Sequence, residues 1–325
     1  MPLLAKFFTL NRPRADALLL LVALLWGTTF VAQKLGGTNV GPLAFVSVRF
    51  LAATLFLLPI AVWEARRSTV RLSRRDLAGG AAIGACLCAA ALLQQTAMAS
   101  TSATNAGFLT AVYMVLVPFV AWLVTRRPPR ALVLLACAVA LYGAWLLAGN
   151  AAGRGADDGH WSRGDILVLV SDLIWAVHIT LIAQFRGIAS RPMLLSTLQC
   201  AITGIVALPF ALVWQPVSFD DVMGGLPAIL YAGIVSSGIA FTLQIVAQRH
   251  TPPAEAALIM SLESVFAAIA GAVFLGEVLT LRAAAGALLI MLGVVMVETS
   301  PLLLAAFTAL FTRKNRGPAA ESLRE

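Results

Sequence analysis

The chain has 325 residues, 60% of them hydrophobic and 12% charged, with a mean hydropathy of +0.90. Soluble domains carry about 25% charged residues, so the composition excludes a soluble globular protein and marks an integral membrane one. A formal net charge of +8 would suit a nucleic-acid partner, but the Lys and Arg residues cluster in the short connections between apolar runs, which excludes that partner.

The first apolar run begins after Asp16 with no cleavable signal pattern before it, and reads as a retained spanning helix. Hydropathy predicts ten spanning segments, at 17–35, 42–63, 77–99, 103–125, 130–149, 165–185, 192–214, 224–248, 253–276 and 281–298. Short connections imply one compact, all-α membrane bundle. The longest connection, 150–164, is rich in Gly and Asp and reads as a solvated linker. With the N-terminus in the cytoplasm, eighteen Lys and Arg fall inside and four (Lys34, Arg154, Arg163 and Arg282) outside, while Arg49 lies within a helix. That asymmetry predicts cytoplasmic termini in a bacterial-type inner membrane. After the last segment, 299–325 reads as an interfacial stretch and a basic tail. Cys86, Cys88, Cys137 and Cys200 all lie in apolar segments and read as packing residues. Neither metal-ligand spacing nor a nucleotide-binding or nucleophile motif occurs in a suitable context, so no cofactor, metal or ATP chemistry is expected.

A shift of about 150 residues aligns Leu25-Trp26 with Ile174-Trp175, Pro42 with Pro192, Arg49 with Gln199, Leu93-Gln94 with Leu243-Gln244, and Gly143 with Gly293. Each half then holds five segments. Because five is odd, the second half enters the membrane inverted, the arrangement that places a transporter's substrate site between repeats near the midplane.

The ordered motifs resemble paired EamA domains of the drug/metabolite transporter superfamily. They are Ala23-Leu24-Leu25-Trp26-Gly27, Arg49-Phe50, Val117-Pro118-Phe119-Val120-Ala121, Leu262-Glu263-Ser264-Val265-Phe266-Ala267-Ala268, Leu275-Gly276-Glu277-Val278-Leu279-Thr280, and Gly286 with Gly293. The resemblance covers about 17–298, with repeats at 17–149 and 165–298. Two departures stand out: Ser264 follows the ninth-segment acid where the family usually has proline, and Arg126-Arg127-Pro128-Pro129 stands where the second half has Gly276-Glu277. The resemblance implies a ten-helix carrier of small metabolites, often moved outward, with amino-acid exporters as one branch.

Several polar residues stand inside the apolar segments. Glu263 is ten residues past Pro253, roughly 15 Å deep at ~1.5 Å per residue. It reads as a proton carrier, an amine ligand or a partner for Arg49. A charge at that depth costs about 2.5–3.5 kcal/mol on insertion scales. Arg49 reads as a clamp for a substrate carboxylate, or as a structural ion pair or carbonyl contact holding the first half together. Asp172 and His178 are further proton-coupling candidates, on nearly opposite faces of one helix. Trp26, Tyr113, Trp175 and Tyr231 are candidate aromatic walls. Trp26, Thr29 and Gln33 share one helical face that should point inward. Gln94, Asn105, Gln199 and Gln244 read as interhelical hydrogen bonds or substrate contacts. The expected function is transport of a small molecule, most simply export of amino acids or related amphiphiles, by a non-enzyme. An intramembrane lipid-modifying enzyme or a non-transporting sensor or scaffold are the alternatives. The former needs Asp172, His178 and Glu263 to converge, and the latter needs a packed interior.

Overall fold

A computed structural model describes residues 11–101, 103–148, 162–215 and 218–315, with side chains described except at 39, 103–105, 148 and 300–315. The first part comprises α1 (Arg12–Val40), α2 (Pro42–Arg67), α3 (Arg74–Ala97), α4 (Ala103–Thr110), α5 (Tyr113–Thr125) and α6 (Ala131–Ala148). Next come α7 (Arg163–Gln184), the single turn α8 (Arg186–Ala189), α9 (Pro192–Trp214), α10 (Phe219–Gly224) and α11 (Leu226–Leu230). A π-helical segment (Tyr231–Ala240) leads into α12 (Phe241–Gln248), followed by α13 (Pro253–Met260), α14 (Glu263–Leu275) and α15 (Leu281–Asn315). Among the described residues, nine helical runs are long and apolar enough to cross a membrane; Ala131–Leu147 is apolar but shorter. The protein is thus an all-helical, multi-pass membrane protein.

Helix starts follow the local chemistry. Pro42, Pro192 and Pro253 open α2, α9 and α13, where the missing N–H removes nothing the helix needs. Ser73 with Asp76, and Ser162 with Asp165, form reciprocal capping boxes on α3 and α7.

Two spans expected to be continuous are broken. α4 and α5 are eight and thirteen residues long, and so are α13 and α14. Each pair meets at a two-residue turn where backbone bonding tightens from i−4 to i−3, as in Val112 N–H to Leu109 O and Leu262 N–H to Ile259 O. α5 ends on Arg126 and α14 on Gly276, both left-handed. Gly276 adopts that backbone without the penalty a Cβ imposes on Arg126. The last helix continues past Thr299 to Asn315 without interruption, and the linker expected at 150–164 lies largely outside the described residues.

α2 and α9 run antiparallel and close. The Ser47 hydroxyl donates to Gly204 O at 3.0 Å. Each helix's C-terminal end caps the other's start: Gln215 Oε1 accepts from Leu43 N–H at 2.8 Å, and Glu64 accepts from Met193 and Leu194 N–H at 3.3 and 2.9 Å. Glu64→Ala strands those two amides and should cost about 1 kcal/mol or more, with Glu64→Gln milder; thermal unfolding in detergent reads the difference. α6 and α15 cross at glycines, each of Gly143 and Gly286 lying against the other's carbonyl, the small-residue contact that membrane helices use for close packing. Outward faces carry exposed Leu55, Leu123, Leu212, Phe274 and Leu288, which suit lipid rather than water.

Candidate functional site

A cavity with about 530 Å³ of empty space, part of it open to the outside, lies in the bundle interior. It is built where α1, α2 and α7 pass the breaks of the split spans and the π segment. Trp26, Thr29, Phe30 and Gln33 reach it from α1, so the polar stripe on that face points inward. Arg49 and Phe50 come from α2, Gln94 from α3, and Trp175 and Ile179 from α7. Tyr113 and Glu263, the first residues of α5 and α14, enter from the two breaks.

Arg49 is 4% exposed. Its guanidinium lies over the rings of Phe45 and Phe50, 5.4 and 4.9 Å from their centroids. No carboxylate pairs with it among the described ion pairs, and its Nε has no hydrogen-bond partner. Cation–π contacts supply about 0.5–2 kcal/mol, less than the cost of a charge at membrane depth. Both the structural ion pair and the Arg49–Glu263 pair expected as alternatives are therefore absent from this conformation, leaving a cation directed at an open cavity.

Glu263 is 3% exposed and its Oε1 is unpartnered. Tyr113 lies within interaction range of it, yet the geometry leaves Tyr113 Oη without a hydrogen-bond partner. Aromatic rings line the same cavity. Trp26 sits 5.0 Å from Phe241 and 6.4 Å from Trp175, and Trp175 stacks on Phe241 at 6.0 Å. Trp26 is pinned by donation from Nε1 to Ser236 O at 3.2 Å, whereas Trp175 Nε1 has no partner.

Other expected residues lie elsewhere. Gln94 does line the cavity but is engaged, donating to the Thr110 hydroxyl at 3.0 Å. Gln244 is fully buried outside it, with both side-chain polar atoms unpartnered. His178 is fully buried against Gln199, Nε2 to Oε1 2.9 Å. Asp172 is also fully buried off the cavity surface. Tyr231 bonds the Thr28 hydroxyl at 2.7 Å, and the Asn105 side chain lies outside the described residues. Asp172, His178 and Glu263 do not converge: no metal-capable group of three His, Cys, Asp or Glu occurs among the described residues.

Phe241, Thr110, Ser236 and Ser237 line the cavity without having been singled out from sequence. The signal was faint: two serines between Gly233 and Gly238 in an apolar span. There the backbone adopts π pairing, with the Ser237 hydroxyl donating to Ala232 O at 2.8 Å, and π segments recur at functional sites.

The two ends of α1 differ. Near its C-terminus, Gln33 also borders a second cavity of about 490 Å³ beside Lys34 and Gln95. At the N-terminal end, Arg12 pairs with Glu255 of α13, with Asp16 at 3.6 Å and with Glu298 of α15 at 3.8 Å. Arg130 approaches Glu255 at 3.8 Å, and the Thr251 hydroxyl donates to Asp16 at 2.6 Å. This charge network ties α1 to α13 and α15.

Residues 13–149, and again 162–299, match the EamA-like transporter family. The chain belongs to the EamA-like transporter family. Among relatives, an "Uncharacterized transporter" of Archaeoglobus fulgidus is 32% identical over 89% of this chain and 87% of its own. The "Uncharacterized transporter YwfM" of Bacillus subtilis is 28% identical over 87% and 93%. A crystal structure with a TM-score of 0.74 at 18% identity covers 90% of this chain and 99% of that one; it shares the fold. This EamA-like protein is accordingly a multi-pass membrane transporter and not an enzyme.

Proposed function

We propose that the protein exports amino acids or related amphiphilic zwitterions by alternating access. The observation that carries this reading is one cavity lined by an unpaired guanidinium, Arg49, an unsatisfied carboxyl, Glu263, and several aromatic rings. A zwitterion carries the complementary charges, and an apolar side chain fits the ring-lined wall. Arg49 would take the carboxylate through its fork of donors, and Glu263 the ammonium.

The alternating-access part rests on two inverted five-helix repeats, ten spans in all. Support comes from element boundaries: Pro42 and Pro192, Ala103 and Pro253, Tyr113 and Glu263, and Ala131 and Leu281 each differ by 150 positions. The family match also occurs twice. Tyr113 and Glu263 are equivalent under that shift yet lie together, as expected for a pair near a pseudo-twofold axis between repeats. The positive-inside asymmetry supports cytoplasmic termini in an inner membrane, and the Arg12 network would then hold the cytoplasmic end shut.

The test is counterflow in proteoliposomes with a radiolabelled amino-acid mixture. Wild type should exchange label, and Glu263→Gln should weaken exchange roughly tenfold or more, the scale of losing a charged hydrogen bond. Absence of exchange for every amino acid and amphiphilic amine would refute the substrate class.

A further inference from the structure

The end of the bundle where α1 starts, and where α2, α5, α7 and α12 finish, carries two groups of arginines with different company. Arg12 and Arg130 are held by Glu255, with Asp16 and Glu298 beside Arg12. The other group gathers around the α2–α3 connection. Arg66 and Arg67 end α2, Arg71 lies in the connection, Arg74 and Arg75 open α3, and Arg186 opens α8. All six are exposed, and none takes part in an ion pair among the described residues.

Packing brings these segments together. Arg191, just before α9, donates from Nε to Ser68 Oγ at 3.0 Å and from a terminal nitrogen to Val70 O. The connection is thereby laid across the start of α9. On its other side, a Cβ on Gly187 would collide with the Asp76 carboxylate, so the turn bearing Arg186 abuts the turn bearing Arg74 and Arg75. The two acids of these segments are committed elsewhere. Glu64 accepts the Met193 and Leu194 amides, and Asp76 accepts from the Ser73 N–H and hydroxyl at 3.0 and 2.6 Å. Crowded like charges repel one another, and an anion with several oxygens relieves that repulsion while matching the guanidinium fork.

The neighbours decide which anion. Trp63, Val70 and Leu77 are 38%, 39% and 50% exposed and interleave with the arginines along the chain. Exposed Leu55, Leu58 and Val62 continue along α2. The Arg67 guanidinium lies over the Trp63 ring, 4.5 Å from its centroid, and tryptophan settles at the headgroup level of a bilayer. The charges thus stand where acyl chains give way to phosphates. A soluble phosphate or a nucleic acid would leave the apolar rim wet, whereas a lipid covers it with its chains.

We propose that this surface binds anionic phospholipid headgroups, whose phosphates bridge the α2–α3 connection to α8. A zwitterionic lipid cancels its phosphate with its own ammonium and fits poorly. Each arginine beside an anionic lipid surface contributes roughly fivefold in affinity.

The test is native mass spectrometry and thermal unfolding of the full-length protein in neutral detergent, with dioleoylphosphatidylglycerol, dioleoylphosphatidylcholine or glycerol 1-phosphate added. Phosphatidylglycerol should stay bound and raise the unfolding temperature; the other two should do neither at the same concentration. Arg71→Gln, Arg74→Gln and Arg75→Gln together should weaken phosphatidylglycerol binding roughly 100-fold, whereas lysine at the same three positions keeps the charge and most of the binding. Glutamine at Arg14, Arg126 and Arg127, exposed at the same end, removes equal charge and should weaken binding by no more than about fivefold, the worth of one arginine. Equal binding of phosphatidylcholine, an equal effect of glycerol 1-phosphate, or equal loss in the two glutamine triples overturns the proposal. The first two outcomes are read on wild type and do not depend on any variant folding. None of them reads transport, so they stand apart from the outcome of counterflow.

Discussion

Arg49→Gln should abolish substrate exchange while leaving the empty protein as stable as wild type, or more so. The two effects have opposite signs because of what Arg49 lacks. A buried ion pair broken on one side usually loses 3–5 kcal/mol, because the surviving charge is stranded. Here the guanidinium is 4% exposed with no carboxylate partner among the described ion pairs, so Gln strands nothing and removes a desolvated charge. Substrate binding loses its anion contact. Truncating one member of a buried, hydrogen-bonded charge pair costs about 2–5 kcal/mol, roughly 30-fold to several thousandfold in affinity. Arg49→Lys keeps the charge but not the planar fork and should fall between. Thermal unfolding in detergent and counterflow at several substrate concentrations measure the two sides. If Arg49→Gln unfolds the protein and lysine restores it without restoring transport, Arg49 is a structural cation and the substrate clamp is wrong.

The positions of the spans were legible because the bilayer imposes length and apolarity on each one. The candidate cavity residues were legible where a polar group interrupted an apolar run: Arg49, Glu263 and the Trp26–Thr29–Gln33 face all stood out, and all line the cavity. What stayed hidden depends on packing. Neither Ala111-Val112 nor Ser261-Leu262 contains proline or glycine, yet both are where the helices break. Pro118, which invites a break, sits inside an intact α5. The proline removes the amide that would bond Met114 O, and the Cys137 thiol supplies a donor there. The π segment was hidden too, since its glycines and serines are equally compatible with an α-helical crossing.

Gly27→Ala, a change of one methyl group, is the second large expected effect, and it follows from backbone contact rather than charge. A Cβ built at Gly27 would lie 2.5 Å from Phe266 Cβ, 2.6 Å from Glu263 O and 2.9 Å from Ala267 N. Two of these three atoms are backbone, so no rotamer change relieves the contact and α1 must separate from α14. Overpacking ordinarily costs about 1–3 kcal/mol, and a clash with main chain belongs at the upper end. In this protein the separation also carries function, because the carbonyl being pushed is that of Glu263 and the neighbouring residue on α1 is Trp26. The glycine of the Leu25-Trp26-Gly27 motif thus holds one cavity wall against the carboxyl opposite. The variant should unfold at a lower temperature and, in the fraction that remains folded, exchange substrate with weakened affinity. Pairing it with Ala267→Gly leaves all three of those atoms in place, so neither stability nor affinity should recover. Full recovery of both would mean that Gly27 is needed for side-chain room alone and that the backbone contact at Glu263 plays no part in shaping the cavity.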